Sequence, residues 1–248
     1  CHPSMANNEL SGPIVSMSLM EFFKKNRKKL NKSIRFVFIP ETIGALTFLS
    51  KNLVKLKKNF IAGYNLSCLG DERMYSCMLS KYGDSVSDSS LISAFKIKKI
   101  KFKIFSFLKR GSDERQYNSP GIDLPVTSFF RSKYHEYPEY HTSLDDFKIV
   151  TKKGVFGSYK VLKQAIEIIQ KNIYPKAILH GEPMLGKRGL YSRLSKNNSW
   201  KKSRQLLDFL QYSDGTNSLN QISKLTKIKR GKLNSILNTL KKFNLIST

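Results

Sequence analysis

Acidic residues are scarce in this sequence: 18 Asp and Glu face 44 Lys and Arg, a net charge of +26 at pH 7. A balance this basic suits nucleic acid, an anionic membrane surface or an acidic substrate. The excess is mostly Lys, spread along the whole chain among Asn and Ile. AT-rich codon usage also produces that pattern, so the charge alone marks no binding face. Cysteine is nearly absent. Cys1, Cys68 and Cys77 form neither a disulfide framework nor a C-x-x-C pair, and a reducing, cytoplasmic compartment is expected. No apolar run approaches the roughly 20 residues that cross a bilayer, which excludes a helical membrane span. No signal peptide is visible, yet the chain opens on Cys1-His2-Pro3 instead of Met, so a true N-terminus is expected further upstream. What remains, 40% hydrophobic and 25% charged over 248 residues, is the composition of a folded protein with one good-sized domain and a small one.

Apolar residues recur at helical spacing within Asn8–Asn31 (Ile14, Met17, Leu19, Met20, Phe22, Phe23), Thr42–Lys58, Ser87–Ile97 and Gly157–Ile173. Ser33–Ile39 and Lys101–Leu108 alternate as strands do, and Phe60–Leu69 reads as a third strand ended by Gly70-Asp71. Strand–helix alternation of this kind predicts an α/β layered domain. The polar stretch Arg110–Asp146 is too long for a plain connector, and segments of that length usually carry function. Ser, Asn and Lys cluster at Tyr191–Trp200, which places a boundary between domains 1–190 and 195–248. Three short amphipathic helices follow: Trp200–Tyr212, Ser218–Thr226 and Gly231–Phe243.

Polar groups sit at the ends of apolar segments in four separated places, where open α/β sheets bind ligands. His2 followed by Ala6-Asn7-Asn8-Glu9-Leu10-Ser11-Gly12 resembles the first metal motif of the zinc aminopeptidases. Pro40-Glu41-Thr42-Ile43-Gly44 resembles the turn that carries that family's general base. Gly111-Ser112-Asp113-Glu114 and the residues through Val126 resemble its pocket loop, and Tyr140-His141-Thr142-Ser143-Leu144-Asp145-Asp146 resembles the motif of its late His ligand. Order and spacing agree from Cys1 to about Ile173. Together with Gly181-Glu182-Pro183-Met184-Leu185-Gly186 these segments resemble the bacterial aminopeptidase-like proteins linked to polysaccharide biosynthesis, which end in a winged helix.

The resemblance implies a mixed sheet between helix layers, with a small winged-helix domain after it. It also implies that the first strands of the peptidase fold are missing from this chain. The implied activity is zinc-dependent hydrolysis of an amide in a small peptide or an amino-sugar conjugate. His2, Asp71 and His141 would hold the metal, which lowers the pKa of its bound water. Glu41 would take that water's proton, and Asp113, Glu114 and Tyr117 would contact substrate. The pattern is incomplete, because the family's metal carboxylates fall on Asn7 or Asn8, on Thr42 and on Ser67. Asn and Thr bring no charge, so one zinc is expected instead of two, and a site without metal stays open.

Blander roles compete with each of these. Glu41 could cap the helix that follows. Asp113 and Glu114 could hold their own loop, and Asp145 and Asp146 could cap a turn or orient His141. His135 and His180 lack a partner motif and read as surface or structural residues. Gly181–Lys187 fits G-x-x-x-x-G-K, but Arg188 stands where a phosphate loop needs Ser or Thr, and Pro183 removes a backbone N–H. In the C-terminal module, Leu219, Ile222, Leu225, Leu233, Ile236, Leu237 and Leu240 are predicted to face a core. Lys229, Arg230 and Lys232 at the start of the third helix could neutralise phosphates. The chain ends at Thr248 with little room for a wing, and docking of a protein partner or of a second copy is expected slightly ahead of DNA contact.

Overall fold

The computed structural model describes residues 4–190 and 199–248. The chain forms two compact units, Cys1–Lys171 and Asn172–Thr248. In the first, a π-helical turn (Ala6–Leu10) leads into α1 (Ser11–Lys25), and α2 (Ile43–Asn59), β1 (Gly63–Leu66) and β2 (Ser76–Met78) follow. Next come α3 (Val86–Ile97), β3 (Lys103–Phe105), the single turn α4 (Glu114–Tyr117), β4 (Val126–Phe130) and α5 (Lys152–Lys171). The strands form one mixed sheet in the order β1-β4-β2-β3. β1 is parallel to β4 and β2 to β3, while β2 and β4 run antiparallel.

Both faces of this sheet are covered. Successive side chains of a strand point to opposite faces, so Phe129 and Cys77 face one core while Phe130 and Met78 face another. The first core is completed by Val15, Leu19 and Phe23 of α1, by Leu91, Ala94 and Phe95 of α3, and by Val161, Leu162 and Ala165 of α5. Each trio follows the three- and four-residue spacing of a helix face. Ser85 starts α3 with a capping box, exchanging hydrogen bonds with Asp88. The second core is closed by Tyr134 and Tyr137 from the long segment after β4.

Three strand readings change. Ser33–Ile39 is extended, but its described backbone makes no backbone hydrogen bond and it is not a strand. Alternation chooses which side chains turn inward, here Ile34 and Phe36; a ladder also needs a neighbouring strand, and among the described residues none pairs with it. Lys101–Leu108 is a strand only over Lys103–Phe105, because the Ser106 hydroxyl accepts from the N–H of Leu108 and starts a 3-10 turn. Conversely, Arg110–Asp146 holds a strand, β4, whose five residues are all buried. Burial on both faces removes the polar alternation that would betray it.

The second unit comprises β5 (Lys176–Ala177), α6 (Ser199–Gln211), α7 (Leu219–Thr226), α8 (Arg230–Lys242) and β6 (Ile246–Ser247). β5 and β6 pair antiparallel, Lys176 with Ser247 and Ala177 with Ile246. The small sheet therefore borrows residues that precede the expected boundary at 190–195, and the units divide after Lys171. Phe209, Leu219, Ile222, Leu233, Ile236, Leu237, Leu240 and Ile246 form its core, with Leu225 left exposed instead. Among the described residues no helix is long and apolar enough to cross a membrane.

Candidate functional site

Of the expected site residues, Asp71 and Glu114 lie against β1 and β4. β1 runs out into Ser67–Asp71, and the N-terminus of α5 seats directly on that turn, because Gly154 has no Cβ to strike the Gly70 carbonyl. Asp71 is 2% exposed. One of its oxygens accepts from the Arg73 N–H (2.9 Å) and the Ser132 hydroxyl (2.9 Å). The other accepts from the Ser132 N–H (2.9 Å) and the Asn7 amide (3.3 Å). A carboxylate offers about four lone-pair sites, and all four are occupied. Asn7 is also fully buried, and its own carbonyl accepts from the Gly70 N–H at 2.8 Å. Ser67 donates its hydroxyl to the carbonyl of Asn8 (3.0 Å). A second buried carboxylate, Asp145, accepts from the N–H groups of Asn7 (2.6 Å) and Asn8 (3.1 Å) and from the Tyr137 hydroxyl (3.0 Å). The Asn7-Asn8 turn is thus a keystone held by neighbouring carboxylates.

Asp71 does not fit zinc as it is held here: a metal ligand needs a free lone pair, and its own are taken by hydrogen bonds. Among the described residues no three His, Cys, Asp or Glu side chains converge as a metal centre requires. His2, expected as a ligand, lies outside the described residues. His141 is exposed and stacks on Tyr140, ring centroids 3.9 Å apart at 17°. Its backbone is left-handed (φ 58°), as is that of His135 (φ 62°). The fold brings the His135 ring within 6.4 Å of His141 and 4.6 Å of Tyr140, a neighbour that no motif announced.

Glu41 and Asp113 stand close together. Asp113 accepts from the Thr42 N–H at 2.8 Å, and Arg115 donates to the Thr42 hydroxyl at 2.8 Å. These two bonds fix the Glu41–Thr42 turn, whose Thr42 is left-handed at φ 61°. Glu41 does not cap α2: Thr42 is the N-cap residue, and it gives no side-chain cap. The Glu41 carboxylate is half-buried and has no hydrogen-bond partner among the described residues. Burial, opposed by the Thr42 N–H and reinforced by the Glu41 and Glu114 charges, raises the pKa of Asp113. Burial, helped by Cys68, Glu41 and Glu9, pushes the Tyr140 phenol up to about 12. In a chain this basic, Glu9, Glu41 and Asp113 thus make a local acidic lip beside the Tyr140–His141 stack.

Glu114 and Tyr117 sit deeper. Glu114 is 1% exposed and accepts five hydrogen bonds. They come from the N–H groups of Gly111 (2.8 Å) and Ser112 (3.0 Å), the hydroxyls of Tyr134 (3.0 Å) and Ser128 (3.0 Å), and the amide of Asn65 (2.9 Å). Tyr117 is half-buried, its phenol raised to about 12 by burial and by Asp113. Lys133, which belongs to none of the motifs, is 3% exposed. It donates to the Tyr134 carbonyl at 3.0 Å beneath that ring, and burial lowers its pKa.

In the second unit Lys229, Arg230 and Lys232 are exposed at the start of α8. Arg230 is held by Asn220 (2.9 Å) and Asn234 (3.0 Å). Gly181–Lys187 makes no phosphate loop; a 3-10 turn (Gly186–Arg188) replaces the helix that such a loop would open.

Comparison with known proteins agrees with this architecture. Over 231 residues the chain is 38% identical to a Clostridium acetobutylicum protein named "Putative polysaccharide biosynthesis protein with aminopeptidase-like domain", covering 90% of this chain and 51% of that one. The crystal structure of a putative peptidase from Clostridium acetobutylicum aligns over all of this chain and 55% of its own, at 33% identity and a TM-score of 0.64. An aminopeptidase from Aneurinibacillus sp. strain AM-1 shares the fold alone, at 15% identity and a TM-score of 0.51 over 65% of this chain and 39% of its own. The chain thus spans about half the length of these Clostridium relatives. Its fold is aminopeptidase-like, mixed α/β, and residues 172–248 match a winged helix-turn-helix family. Residues 1–172 match the model of a domain family of unknown function (DUF4910), and the chain belongs to that family.

Proposed function

We propose that the first unit binds a small peptide or an amino-sugar conjugate by its free amine at the Glu41–Asp113 lip, without the zinc hydrolysis that the resemblance implies. One observation carries this reading: Asp71 is saturated by hydrogen bonds, while among the described residues the Glu41 carboxylate makes none. An ammonium group makes charge-assisted hydrogen bonds to such a carboxylate, and the flat Tyr140–His141 stack can take the apolar face of the rest of the ligand. The name of the 38%-identical relative favours the amino-sugar conjugate. Calorimetry with glucosamine and N-acetylglucosamine, and with a dipeptide and its N-acetyl form, tests it. Only the free amines should bind, and Glu41→Gln should weaken them about tenfold, the loss of one hydrogen bond to a charged group. Equal binding of acetylated ligands, or none of either, would remove the reading.

The second unit supports a nucleic-acid contact over a protein one. The solvent face of α8 presents Arg230, Asn234, Asn238 and Lys241 with no acid and no large apolar residue. Lys229 and Lys232 at its start would neutralise phosphates and Arg230 would reach base edges. Anisotropy with duplex DNA across a salt series is the test. Replacing Lys229 and Lys232 by Ala should flatten the log–log slope by about two, and an unchanged slope would place the contact elsewhere.

A further inference from the structure

Away from the lip, α1 and the first turns of α5 enclose an open groove of about 670 Å³. Its walls are Ile14 and Phe22 from α1, Val155, Phe156 and Tyr159 from α5, and Phe147 from the segment before it. Phe147 is 73% exposed, Phe156 57% and Ile14 43%. Contiguous exposed apolar surface of this kind marks an interaction site on a folded protein.

Shape and charge select the occupant. The wall residues of α1 repeat at the three- and four-residue spacing of a helix ridge, and those of α5 do the same. Two such ridges leave a trough that a third helix fills. From Ile14 to Lys25 the trough runs roughly 16 Å along α1, about three turns. A membrane would instead meet a convex apolar edge. On the rim, Lys25 is paired with Glu21 and Lys163 lies over Phe22 beside Glu167, while Lys152 and Lys160 are exposed with no acid in ion-pair contact. Lys160 stacks over Phe156 at 4.8 Å. With its other charges paired, the rim is net basic through Lys152 and Lys160, which disfavours a second copy seated face to face and favours a partner of opposite sign.

We propose that the α1–α5 groove receives an acidic amphipathic helix from a partner polypeptide, its apolar side seated against Phe22, Val155 and Phe156 and its carboxylates on Lys152 and Lys160. Helices seat in grooves of this kind through apolar anchors spaced i, i+3 or i+4 and i+7.

The probes are three synthetic peptides: a Leu/Glu amphipathic helix, its Leu/Lys counterpart, and the Leu/Glu composition scrambled to destroy the apolar face. Fluorescence anisotropy measures their binding to the full chain, to Phe156→Asp and to Ile14→Asp. Both substitutions fall on exposed side chains, and circular dichroism confirms that each variant is folded. The Leu/Glu helix should bind saturably, at least tenfold tighter than either other peptide, and each variant should weaken it about tenfold. Equal binding of the scrambled peptide, or of the helix to both variants, would reduce the effect to net charge and overturn the proposal. So would the absence of saturable binding up to about 200 μM, weaker than helix-in-groove contacts. Two further results overturn it by assigning the face elsewhere. One is Phe156-dependent binding to anionic phospholipid vesicles without peptide binding; the other is a Phe156-dependent dimer in sedimentation.

Discussion

Removing the Glu114 carboxylate should unlatch the first unit from inside. Glu114→Ala leaves five donors facing a cavity: two backbone N–H groups, two hydroxyls and one amide. Each buried donor left unsatisfied costs about 1–3 kcal/mol, and hydrogen bonds to a charged acceptor lie at the upper end. The five are not additive, because water entering the space would serve some of them. A loss of about 3–5 kcal/mol is expected, a large part of a domain's usual 5–15 kcal/mol. Glu114→Gln keeps one oxygen for Gly111, Ser112 and Tyr134, and Ser128 can accept from the new amide, while the Asn65 N–H loses its acceptor, so about 1–2 kcal/mol is expected there. Urea unfolding followed by circular dichroism should show the Ala midpoint lowered by roughly 2 M at an ordinary slope. Hydrogen exchange should localise the change to peptides spanning Gly111–Asn118, β1 and β4. An Ala variant within about 1 kcal/mol of the parent, or a Gln variant as damaged as Ala, would refute the reasoning.

Asp113→Ala should free the Glu41–Thr42 turn and speed amide exchange at Thr42, whereas Asp113→Asn keeps the acceptor and should not. Because the folded state raises the pKa of Asp113, it holds that proton more tightly than the unfolded chain. This stabilising contribution is complete below the ordinary Asp pKa and is lost as pH rises through the raised value. Stability curves between about pH 4 and 7 should therefore lose that downward slope in Asp113→Asn, and an upward slope assigned to Asp113 would contradict the assignment. Cys68 and Cys77 are both 0% exposed, and burial lifts each thiol to about 12. Iodoacetamide at pH 8 should label their peptides only after unfolding, and rapid labelling of the native protein would contradict that burial. Gly154→Ala should cost about 2–4 kcal/mol, since a Cβ there overlaps the Gly70 carbonyl and must push α5 off the β1 turn. A thermal midpoint equal to the parent's would show that contact to be looser.

The helices were legible because one face of each is apolar at helical spacing. α2, α3 and α6–α8 lie within about one residue of the spans that periodicity predicts. Strands fared worse, for reasons the residues make plain. β2 has only three residues, too short for a period, and β4 is buried on both faces, so neither shows alternation. Ser33–Ile39 alternates as strands do, yet among the described residues no strand pairs with it. At the site, motif spacing picked out Glu41, Asp71, Asp113 and Glu114 without revealing which keep their lone pairs. That depends on residues distant in sequence: Asn7 and Ser132 for Asp71, Asn65, Ser128 and Tyr134 for Glu114. Polar satisfaction is a property of the folded neighbourhood, and a linear pattern carries the residue type but not its partners.

Zinc stoichiometry tests the central claim most directly. The full chain is to be equilibrated with excess zinc, desalted and measured by elemental analysis beside His141→Ala and His2→Ala, with amide hydrolysis assayed on the same samples. Only stray, substoichiometric zinc, equal in all three proteins, is predicted, together with retained amine binding. One zinc per chain that disappears in both variants, accompanied by hydrolysis that Glu41→Gln abolishes, would contradict the account and restore the hydrolase.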